Sequence, residues 1–542
     1  MTFPFLEELN KEQREAVTHT VGPSIILAGA GSGKTRVLTY KAMYLIESRA
    51  CLPDEILMLT FTNKAAAEMK KRILNTIQGS KKPELITAQT FHSFCATTLR
   101  RNGRPSSTDR DFTILDTDDQ KDLLKDIITE SGKSSSLKPG TLLYAISEAK
   151  NKLISPHSLM EQSTDFFQEQ IAKLYGQYQK RLQEVRGIDF DDLLVETVQL
   201  ITDNTQVRLY FQNRFKQVLV DEYQDTNHVQ YVLAKLLSEK RRNITIVGDF
   251  SQSIYSWRGA DFHNLEKFKI DFTDAVTFHL EQNYRSTQPI LDVAFSIISK
   301  NESHPILKLW TNKKKGEEIH IMSLENAEEE ALYIVNKIRT LKEMESIPLS
   351  EIAILYRTNA QSRLFEEVCL HLGIPYKIFG GTRFYERKEV KDVLAFVRYL
   401  KNDSDATALK RIYSLGKRRA EKVLLAISKL KKDEKPGEIL QTLLNNTPYL
   451  DLYDEHDPED SPRLENIKEL VSVAYSFTTL NEFLDSVALI ESGYELPAED
   501  VDRLNMMTLH AAKGLEFDAV FIPGLEEGLL PHSRSTESRE EL

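Results

Sequence analysis

A glycine-rich stretch near the start of the chain has the residue types that bind the phosphates of a nucleotide. Its predicted phosphate-binding residues are Ala28, Gly29, Ala30, Gly31, Ser32, Gly33, Lys34 and Thr35. The glycines let consecutive backbone N–H groups point at one anion. Lys34 would contact the β and γ phosphates, and the Thr35 hydroxyl would hold Mg²⁺. The general phosphate-binding pattern begins with Gly, whereas this chain has Ala28 at that position. The alternative interpretation is therefore a glycine-rich turn of some other α/β enzyme.

Two adjacent carboxylates further along the chain could activate water for hydrolysis. Asp221 and Glu222 follow the apolar run 218–220. An acid at the tip of a strand can hold Mg²⁺ through water, and the next acid can orient and deprotonate the attacking water. A helix N-terminus rich in acids is the alternative, although it fits Asp225 and Thr226 better. The acid pair and the glycine-rich stretch together predict an ATPase.

Four further side chains have chemistry that suits a nucleotide pocket. Gln252 follows an apolar run at 244–249 and could sense the γ-phosphate, and Arg285 could stabilise charge on the transferring phosphoryl group. Tyr284 could stack on a base. The Gln13 amide offers one donor and one adjacent acceptor, which suits the edge of adenine. A surface position is the alternative for Gln13.

A cluster of aromatic and basic residues has the chemistry of single-stranded nucleic-acid binding. Tyr255, Trp257 and Arg258 offer flat faces and a cation close together, which favours stacking on bases. A role in the core is the alternative for Trp257. Phe61 and His92 follow two predicted strands, where a core phenylalanine and a structural histidine are the alternatives.

Alternating strand and helix patterns predict the elements that position these residues. Apolar runs at 25–28, 55–62, 84–88, 215–220 and 244–249 indicate strands of a parallel sheet, whose carboxyl ends carry ligands. A second α/β pattern occupies 352–357, 374–377 and 519–523. We expect an α/β fold with two parallel-sheet domains, each with an inserted helical subdomain. The predicted domains are 1–95 with 200–279, its insertion 96–199, then 280–381 with 500–542, and its insertion 382–499.

Composition sets the class of protein but not its substrate. The 542 residues exceed what one core supports, so we expect about three or four domains. No run of about 20 apolar residues and no signal-peptide pattern occur, which predicts a cytoplasmic protein without a membrane span. The three cysteines predict a reducing compartment without a disulfide framework or zinc site. A net charge of −11 argues against coating nucleic acid, although a local basic channel is compatible with it.

Taken together, these motifs resemble the UvrD/Rep/PcrA group of superfamily 1 DNA helicases. The matching segments occur in the order of that family and span residue 9 to about residue 530. They read LNKEQREAV, AGAGSGKT, LTFTNKAAAEM, TFHSF, VDEYQDT, VGDFSQSIYSWRGA, LEQNYRS, LYRTNAQSR, FYERKEVKDVL and MTLHAAKGLEFDAVF. The resemblance implies two RecA-like P-loop domains with ATP between them and single-stranded DNA across their top.

The resemblance also assigns roles to individual residues. For the nucleotide, Gln13 would read adenine, Tyr284 would stack on it, Arg36 would lie beside the phosphates, and Glu516 would meet the ribose. Asp221 would be the Mg²⁺ ligand, Glu222 the catalytic base, and Gln252 and Arg285 the contacts of the γ-phosphate. The residues that match the DNA path are Phe61, Thr62, Asn63, His92, Tyr255, Trp257, Arg258, Arg357 and His510.

The family resemblance implies ATP and Mg²⁺ as cofactors and single-stranded DNA and single/double-strand junctions as partners. It further implies 3′ to 5′ movement, unwinding in DNA repair or replication restart, contact with repair or replication proteins, and a monomer or weak dimer. In two respects the sequence departs from the family. The final family motif, which carries a second arginine for the γ-phosphate, is absent before Leu542, and Lys417, Arg418 and Arg419 stand where glycines are usual. The alternative is therefore a truncated ATP- and DNA-binding module with little turnover.

Overall fold

The chain divides into two compact units, Met1–His320 and Ile321–Leu542. The computed structural model describes residues 3–77, 82–106, 110–132, 137–254, 260–261, 263–301, 304–313, 316–455, 457, 459–492 and 501–531. Within those ranges, no helix combines the length and the apolar character that crossing a membrane requires.

The first unit is built on a six-stranded parallel sheet. Its strands are β1 (Ser24–Ala28), β2 (Ile56–Thr60), β3 (Thr87–Thr90), β6 (Gln217–Val220), β7 (Ile244–Gly248) and β8 (Val276–Leu280), and a two-stranded pair is formed by β4 (Thr113–Ile114) and β5 (Gly187–Ile188). The order across the large sheet is β3-β2-β6-β7-β1-β8. Every residue of β1, β2, β6 and β7 is buried, which explains why these segments are continuous apolar runs.

Two groups of helices pack on the two faces of this sheet. The helices of the first unit are α1 (Lys11–Thr18), α2 (Lys34–Glu47), α3 (Asn63–Thr76), α4 (Phe91–Asn102), α5 (Thr117–Glu130), α6 (Pro139–Asn151), α7 (Pro156–Gln162), α8 (Phe166–Glu184), α9 (Phe190–Asp203), α10 (Thr205–Arg214), α11 (His228–Ser238), α12 (Asn264–Asp271) and α13 (Gln288–Ile298). Of these, α1 to α3 pack on one face of the sheet and α4 with α9 to α12 pack on the other. Alternate strand residues enter different cores. Ile25 and Leu57 lie in one hydrophobic cluster, and Ile26 and Met58 lie in another, as the period of two in a strand requires.

A group of helices between β3 and β6 has a hydrophobic core of its own. Leu124, Ile146, Leu174 and Tyr178, from α5, α6 and α8, are buried together. Proline or a side-chain acceptor begins each of these helices; for example, Asp116 accepts the backbone N–H of Asp119 at 2.9 Å at the start of α5.

The second unit contains a smaller parallel sheet and a second group of helices. Its strands are β9 (Ile352–Tyr356), β10 (Tyr376–Ile378), β11 (Leu504–Thr508) and β12 (Ala519–Phe521), in the order β10-β11-β9-β12. Its helices are α14 (Ala327–Met344), α15 (Ser362–His371), α16 (Lys388–Lys401), α17 (Ala406–Tyr413), α18 (Lys417–Ile427), α19 (Pro436–Asn445), α20 (Ser461–Tyr475) and α21 (Leu480–Ser492). The group from α16 to α21 encloses a separate hydrophobic cluster that includes Val393, Leu440 and Leu470. The predicted α/β class with parallel sheets is thereby confirmed.

Two boundaries differ from those expected from the sequence. The third strand runs over Thr87–Thr90, not 84–88, because Pro83 starts a 3-10 turn at Pro83–Leu85. The two units divide at residues 320 and 321, whereas the sequence placed a domain boundary at 279 and 280. Residues just after β8 stay with the first unit because the N–H of Tyr284 donates to the carbonyl of Gly31, in the glycine-rich turn, at 2.9 Å.

Candidate nucleotide and nucleic-acid site

The glycine-rich turn joins β1 to α2, as the sequence predicts. Gly31 and Gly33 have φ of +66° and +86°, in the left-handed region that favours glycine. Ser32 closes the turn by donating from its backbone N–H and from Oγ to the carbonyl of Gly29, at 3.2 Å and 2.8 Å. A Cβ on Gly31 would lie 2.7 Å from Cβ of Arg285, so the close approach of these two chain segments requires glycine. The turn thus leaves the N-terminus of α2 open for an anion.

Lys34 and the acids of the neighbouring strands meet at the C-terminal edge of the sheet. Lys34 Nζ lies 3.9 Å from Asp249 Oδ2, and both side chains are largely buried. Asp221 is 2% exposed, and its Oδ1 has no hydrogen-bond partner within the described ranges. Burial, and then the charge of Glu222, raises the pKa of Asp221 to about 7. A buried carboxylate oxygen without a partner fits a cation ligand, and Thr35 supplies a hydroxyl at the start of α2.

Glu222 occupies a strained position that one buried amide supports. Its φ is +48°, which few non-glycine residues adopt and which often marks a functional site. Gln224, fully buried, donates from Nε2 to Glu222 Oε2 at 2.7 Å and accepts the N–H of Asp249 at 3.0 Å. Sequence reasoning missed Gln224, since nothing in its spacing distinguishes it from a helical surface glutamine.

The predicted adenine reader lies against the glycine-rich turn. Gln13 is 1% exposed, which contradicts the surface alternative, and its Nε2 donates to the carbonyl of Ser32 at 2.8 Å. Asn10 and Gln13 form a reciprocal capping box at the start of α1, in which the N–H of Gln13 donates to Asn10 Oδ1 at 2.8 Å. Asn10 Nδ2 also donates to the Tyr284 hydroxyl at 3.0 Å. The structure therefore brings Gln13 and Tyr284 together.

The segment with Arg285 is held on the turn by a second residue that sequence reasoning missed. Asn283, 2% exposed, donates from Nδ2 to the carbonyl of Ala30 at 2.6 Å. Its Oδ1 accepts the backbone N–H of Arg285 at 2.8 Å, and the N–H of Tyr284 donates to the carbonyl of Gly31 at 2.9 Å. The main chain of Arg285 thus lies directly beside the predicted phosphate site.

Two other predicted nucleotide residues have partners of their own. Gln252 ends a 3-10 turn after β7, where its backbone N–H donates to the carbonyl of Asp249 at 2.9 Å. Arg36 Nη2 lies 2.5 Å from Glu8 Oε2, and its guanidinium lies 5.2 Å from the ring centroid of Tyr40. Arg36 is therefore bound to Glu8 in this structure.

Several predicted DNA-binding residues follow the adjacent strands β2 and β3. Thr60 and Thr90 are partners in register, so Phe61 and His92 emerge at one edge of the sheet. Phe61 is 36% exposed, and His92 occupies the second position of α4, where burial lowers its pKa. The His92 ring lies 5.9 Å, edge-on, from the ring of Phe190.

Thr62 and Asn63 begin the helix that follows Phe61. Thr62 caps α3 by accepting the N–H of Ala65 at 3.1 Å, and Asn63 Oδ1 accepts from Ser93 Oγ at 3.4 Å. Phe190, which is 49% exposed, was missed from the sequence because only the fold places it beside His92. This edge presents exposed aromatic faces with polar groups between them.

The remaining predicted residues belong to the second unit or lie outside the described residues. Arg357 follows β9 and His510 follows β11, two strands that pair in register at Tyr356 and Thr508. Glu516 is exposed in the segment between β11 and β12. Tyr255, Trp257 and Arg258 lie outside the described residues, as do residues 532–542.

Comparison with known proteins identifies the family. The model of the UvrD/REP helicase N-terminal domain matches residues 9–273, and the model of the UvrD-like helicase C-terminal domain matches residues 278–454 and 426–542. The chain belongs to the UvrD/REP helicase family. Relatives include "ATP-dependent DNA helicase PcrA" of Staphylococcus aureus (strain NCTC 8325 / PS 47), 38% identical over 588 residues, covering 99% of this chain and 80% of the relative. "ATP-dependent DNA helicase UvrD1" of Mycobacterium tuberculosis (strain CDC 1551 / Oshkosh) is 38% identical over 614 residues, covering 99% and 79%.

Membership of the UvrD/REP family confirms the resemblance that the motifs indicate. The N-terminal match includes the glycine-rich turn, both acids and the edge with Phe61 and His92. The C-terminal match begins at residue 278 and includes the segment with Tyr284 and Arg285. The match to the C-terminal family model therefore begins at residue 278, whereas the first compact unit of the structure extends to His320.

Proposed function

We propose that this chain is an ATP-dependent DNA helicase that moves 3′ to 5′ along single-stranded DNA and unwinds duplex. Relatives that are 38% identical over nearly the whole chain are named ATP-dependent DNA helicases. The observation that carries the proposal is the buried carboxylate oxygen of Asp221, which has no hydrogen-bond partner among the described residues, at the same sheet edge as Lys34 and the glycine-rich turn. Such a site supports metal-assisted phosphoryl transfer to water.

The phosphate end of the site performs the hydrolysis. Lys34 and backbone N–H groups of the glycine-rich turn would bind the β and γ phosphates, and Thr35 and Asp221 would hold Mg²⁺. The ion, when bound, neutralises charge on the phosphate oxygens. Glu222, oriented by Gln224, accepts the proton of the attacking water.

Two further groups act on the transferring phosphoryl group. Gln252 lies after β7, where the N–H of its side chain would contact the γ-phosphate, and Arg285 would offset the negative charge that develops there. The support for Arg285 is the hydrogen bond of its backbone N–H to Asn283 at 2.8 Å, which anchors it beside Gly31.

The base end of the site gives the preference for adenine. Gln13 offers a donor and an acceptor to the edge of the base, and Tyr284 stacks on its face. Arg36 leaves Glu8 and turns towards the nucleotide. The family resemblance assigns the ribose contact to Glu516.

Single-stranded DNA binds residues that follow β2 and β3 in the first unit, and the family resemblance adds contacts that follow β9 and β11 in the second. In the first unit the supporting observation is the aromatic pair of half-buried His92 and exposed Phe190, at the edge where exposed Phe61 also lies. Aromatic faces stack on bases without reading their sequence, as a moving motor requires. The other proposed contacts are Thr62, Asn63, Tyr255, Trp257, Arg258, Arg357 and His510. Hydrolysis drives movement because DNA affinity differs between the nucleotide states.

We further propose the four-part domain organisation of the sequence analysis, in which each sheet domain carries one helical insertion, and Mg²⁺ as the metal. We place the chain in DNA repair or replication restart in the cytoplasm, acting at single/double-strand junctions as a monomer or weak dimer.

Strand displacement tests the direction of movement. Two duplexes are compared, one with a 3′ single-stranded tail and one with a 5′ tail of equal length and sequence. ATP-dependent separation of only the 3′-tailed duplex supports the proposal. Separation of only the 5′-tailed duplex contradicts the direction, and ATP-independent binding of both without separation indicates a module that grips DNA with little turnover.

A further inference from the structure

Lys41 is a buried cationic residue whose contacts are carbonyl oxygens. It lies on α2 with 1% of its surface exposed, and it forms no ion pair with a carboxylate in the described part of the chain. Its Nζ donates to the carbonyl of Ala16 at 2.9 Å and to the carbonyl of His19. Both carbonyls belong to the last turn of α1 or to its C-cap. Lys41 therefore closes the C-terminal end of α1.

This arrangement solves a specific problem of helix ends. The last carbonyls of a helix lack partners within the helix, and a buried carbonyl without a donor is costly. A lysine there satisfies two carbonyls and suits the negative end of the helix dipole. Burial lowers the pKa of Lys41 to about 7, and the neutral amine retains two N–H donors, so both protonation states can hold the two carbonyls.

The helix that Lys41 closes is the one that carries the predicted adenine reader. α1 has eight residues, and Gln13 near its start donates to the carbonyl of Ser32 at 2.8 Å in the glycine-rich turn. Lys41 itself stands on α2, seven residues after Lys34, which begins the phosphate-binding helix. One side chain therefore connects the helix that presents Gln13 to the helix that presents Lys34.

We infer that Lys41 is a positioning residue for adenine recognition, fixing the distance and orientation of the Gln13 amide relative to the phosphate-binding turn. The inference rests on the proposed function, in which Gln13 reads the base edge. Lys41 touches neither base nor phosphate; it acts through the position of α1. Ala16 and Val17 pack this end of α1 into the core, and the hydrogen bonds from Lys41 add the directional contacts that packing lacks. Without them the Gln13 amide would shift, and base recognition by hydrogen bonds loses strength steeply with misplacement.

The experiment compares ADP with GDP, each measured by isothermal titration calorimetry on the full chain with Mg²⁺. Lys41→Met keeps the length of the side chain and removes the donors. This substitution should weaken the affinity for ADP about tenfold and leave the affinity for GDP nearly unchanged, so that the preference for adenine is largely lost. Gln13→Ala should lose the same preference. Lys41→Arg, which retains donors, should keep most of it.

Inorganic tripolyphosphate, which has no base, separates a positioning role from general damage. Its affinity should be equal for the wild type and Lys41→Met. Equal weakening of ADP, GDP and tripolyphosphate, or an unchanged ADP to GDP ratio, would overturn the inference. If Lys41→Met does not fold, Lys41→Gln replaces it, because its amide can serve both carbonyls only in part. Its ratio of ADP to GDP affinity should lie between those of the wild type and Gln13→Ala. A ratio equal to that of the wild type would overturn the inference as well.

The outcomes also distinguish this inference from the proposed function on which it rests. A wild-type chain without any preference for ADP over GDP would remove the adenine-reading role of Gln13 itself. A preference that Gln13→Ala abolishes and Lys41→Met retains would leave the proposed function intact and refute the role of Lys41.

Discussion

Gln224 Nε2 donates to Glu222 Oε2 at 2.7 Å, so a buried amide two residues along the chain fixes the predicted catalytic base. The same amide accepts the N–H of Asp249 at the end of β7, which ties Glu222 to a neighbouring strand. The position of the Glu222 carboxylate therefore depends on two strands of the sheet and on the Gln224 side chain, which has no direct role in the reaction. A carboxylate held in this way stays aligned with its water molecule.

Removal of this amide should reduce turnover without affecting nucleotide binding. Gln224→Ala is expected to lower kcat of ATP hydrolysis about a hundredfold, because general-base catalysis of this size depends on orientation. The affinity for ADP should change little. Gln212→Ala is the matched control: Gln212 is also buried and donates from Nε2 to the carbonyl of Leu236 at 2.8 Å, away from the site. A kcat for Gln224→Ala equal to that of Gln212→Ala would show that Glu222 needs no support.

A methyl group on Gly31 should separate Arg285 from the glycine-rich turn. In Gly31→Ala the new Cβ would lie 2.7 Å from Cβ of Arg285 at a φ of +66°. We expect at least a tenfold loss of ATP affinity, and a fall in kcat of about a hundredfold or more, since removal of a phosphate-contacting arginine costs about 10³-fold.

The control for this substitution is Gly22→Ala. Gly22 has a similarly positive φ of +84°, but nothing lies within 4 Å of the position that a Cβ would take there. The Gly22→Ala variant should lose about 1 kcal/mol in its free energy of unfolding because of backbone strain, and it should keep its rate of ATP hydrolysis. Equal kinetic effects in both variants would mean that strain alone, and not the contact with Arg285, is responsible.

The aromatic pair His92 and Phe190 should contribute to DNA affinity through stacking and not through charge. Phe190→Ala is expected to weaken oligo(dT) binding about tenfold, the usual size of one lost stacking contact. Burial lowers the pKa of His92 below its ordinary value, so its imidazole is neutral at pH 7.5 and releases no counterion. His92→Gln should therefore weaken binding while the slope of log affinity against log salt stays the same.

Fluorescence anisotropy across a salt series measures both quantities. Phe167→Ala is the matched control, because Phe167 on α8 is 50% exposed and Phe190 is 49% exposed. A shallower salt slope for His92→Gln at pH 7.5 would contradict a neutral imidazole. Equal affinities of Phe190→Ala and Phe167→Ala for oligo(dT) would remove Phe190 from the DNA edge.

Release of Arg36 from Glu8 should favour nucleotide binding by a small factor. The hydroxyl of Tyr40 and the guanidinium of Arg36 lower the pKa of Glu8, so the carboxylate competes for Arg36 at neutral pH. The pair is exposed, and such pairs contribute at most about 1 kcal/mol. Glu8→Gln should tighten ADP binding by up to about threefold at low salt, with no difference at about 0.5 M salt. Glu7→Gln, at an adjacent exposed position, is the control, and weaker ADP binding by Glu8→Gln would contradict the competition.

The sequence predicted the elements whose signals are local. The apolar runs gave β1, β2 and β7 nearly to the residue, and the glycine-rich turn fell between β1 and α2 as expected. The third strand was placed too early because a proline-initiated turn interrupts an apolar stretch that resembles a strand. Local patterns therefore located the phosphate end of the site well.

The contacts that adjust the site could not be read from the sequence. Asn283 reaches the carbonyl of Ala30, and Lys41 reaches the end of α1, only after the chain has folded. Phe190 lies beside His92 although 98 residues separate them. Arg36 was assigned to the phosphates from the family resemblance, while its bond to Glu8 depends on where the folded chain places the N-terminal residues. These relationships depend on tertiary packing, which no local spacing encodes.

ATP hydrolysis by the purified 542-residue chain, measured with and without single-stranded DNA and repeated for Glu222→Gln, decides whether the chain is a DNA-dependent motor. We predict at least tenfold stimulation by DNA in the wild type. We also predict a loss of about 10²-fold or more in Glu222→Gln, with ADP and DNA still bound. An equal rate with and without DNA, or a Glu222→Gln variant as active as the wild type, would contradict the proposed function and its catalytic base.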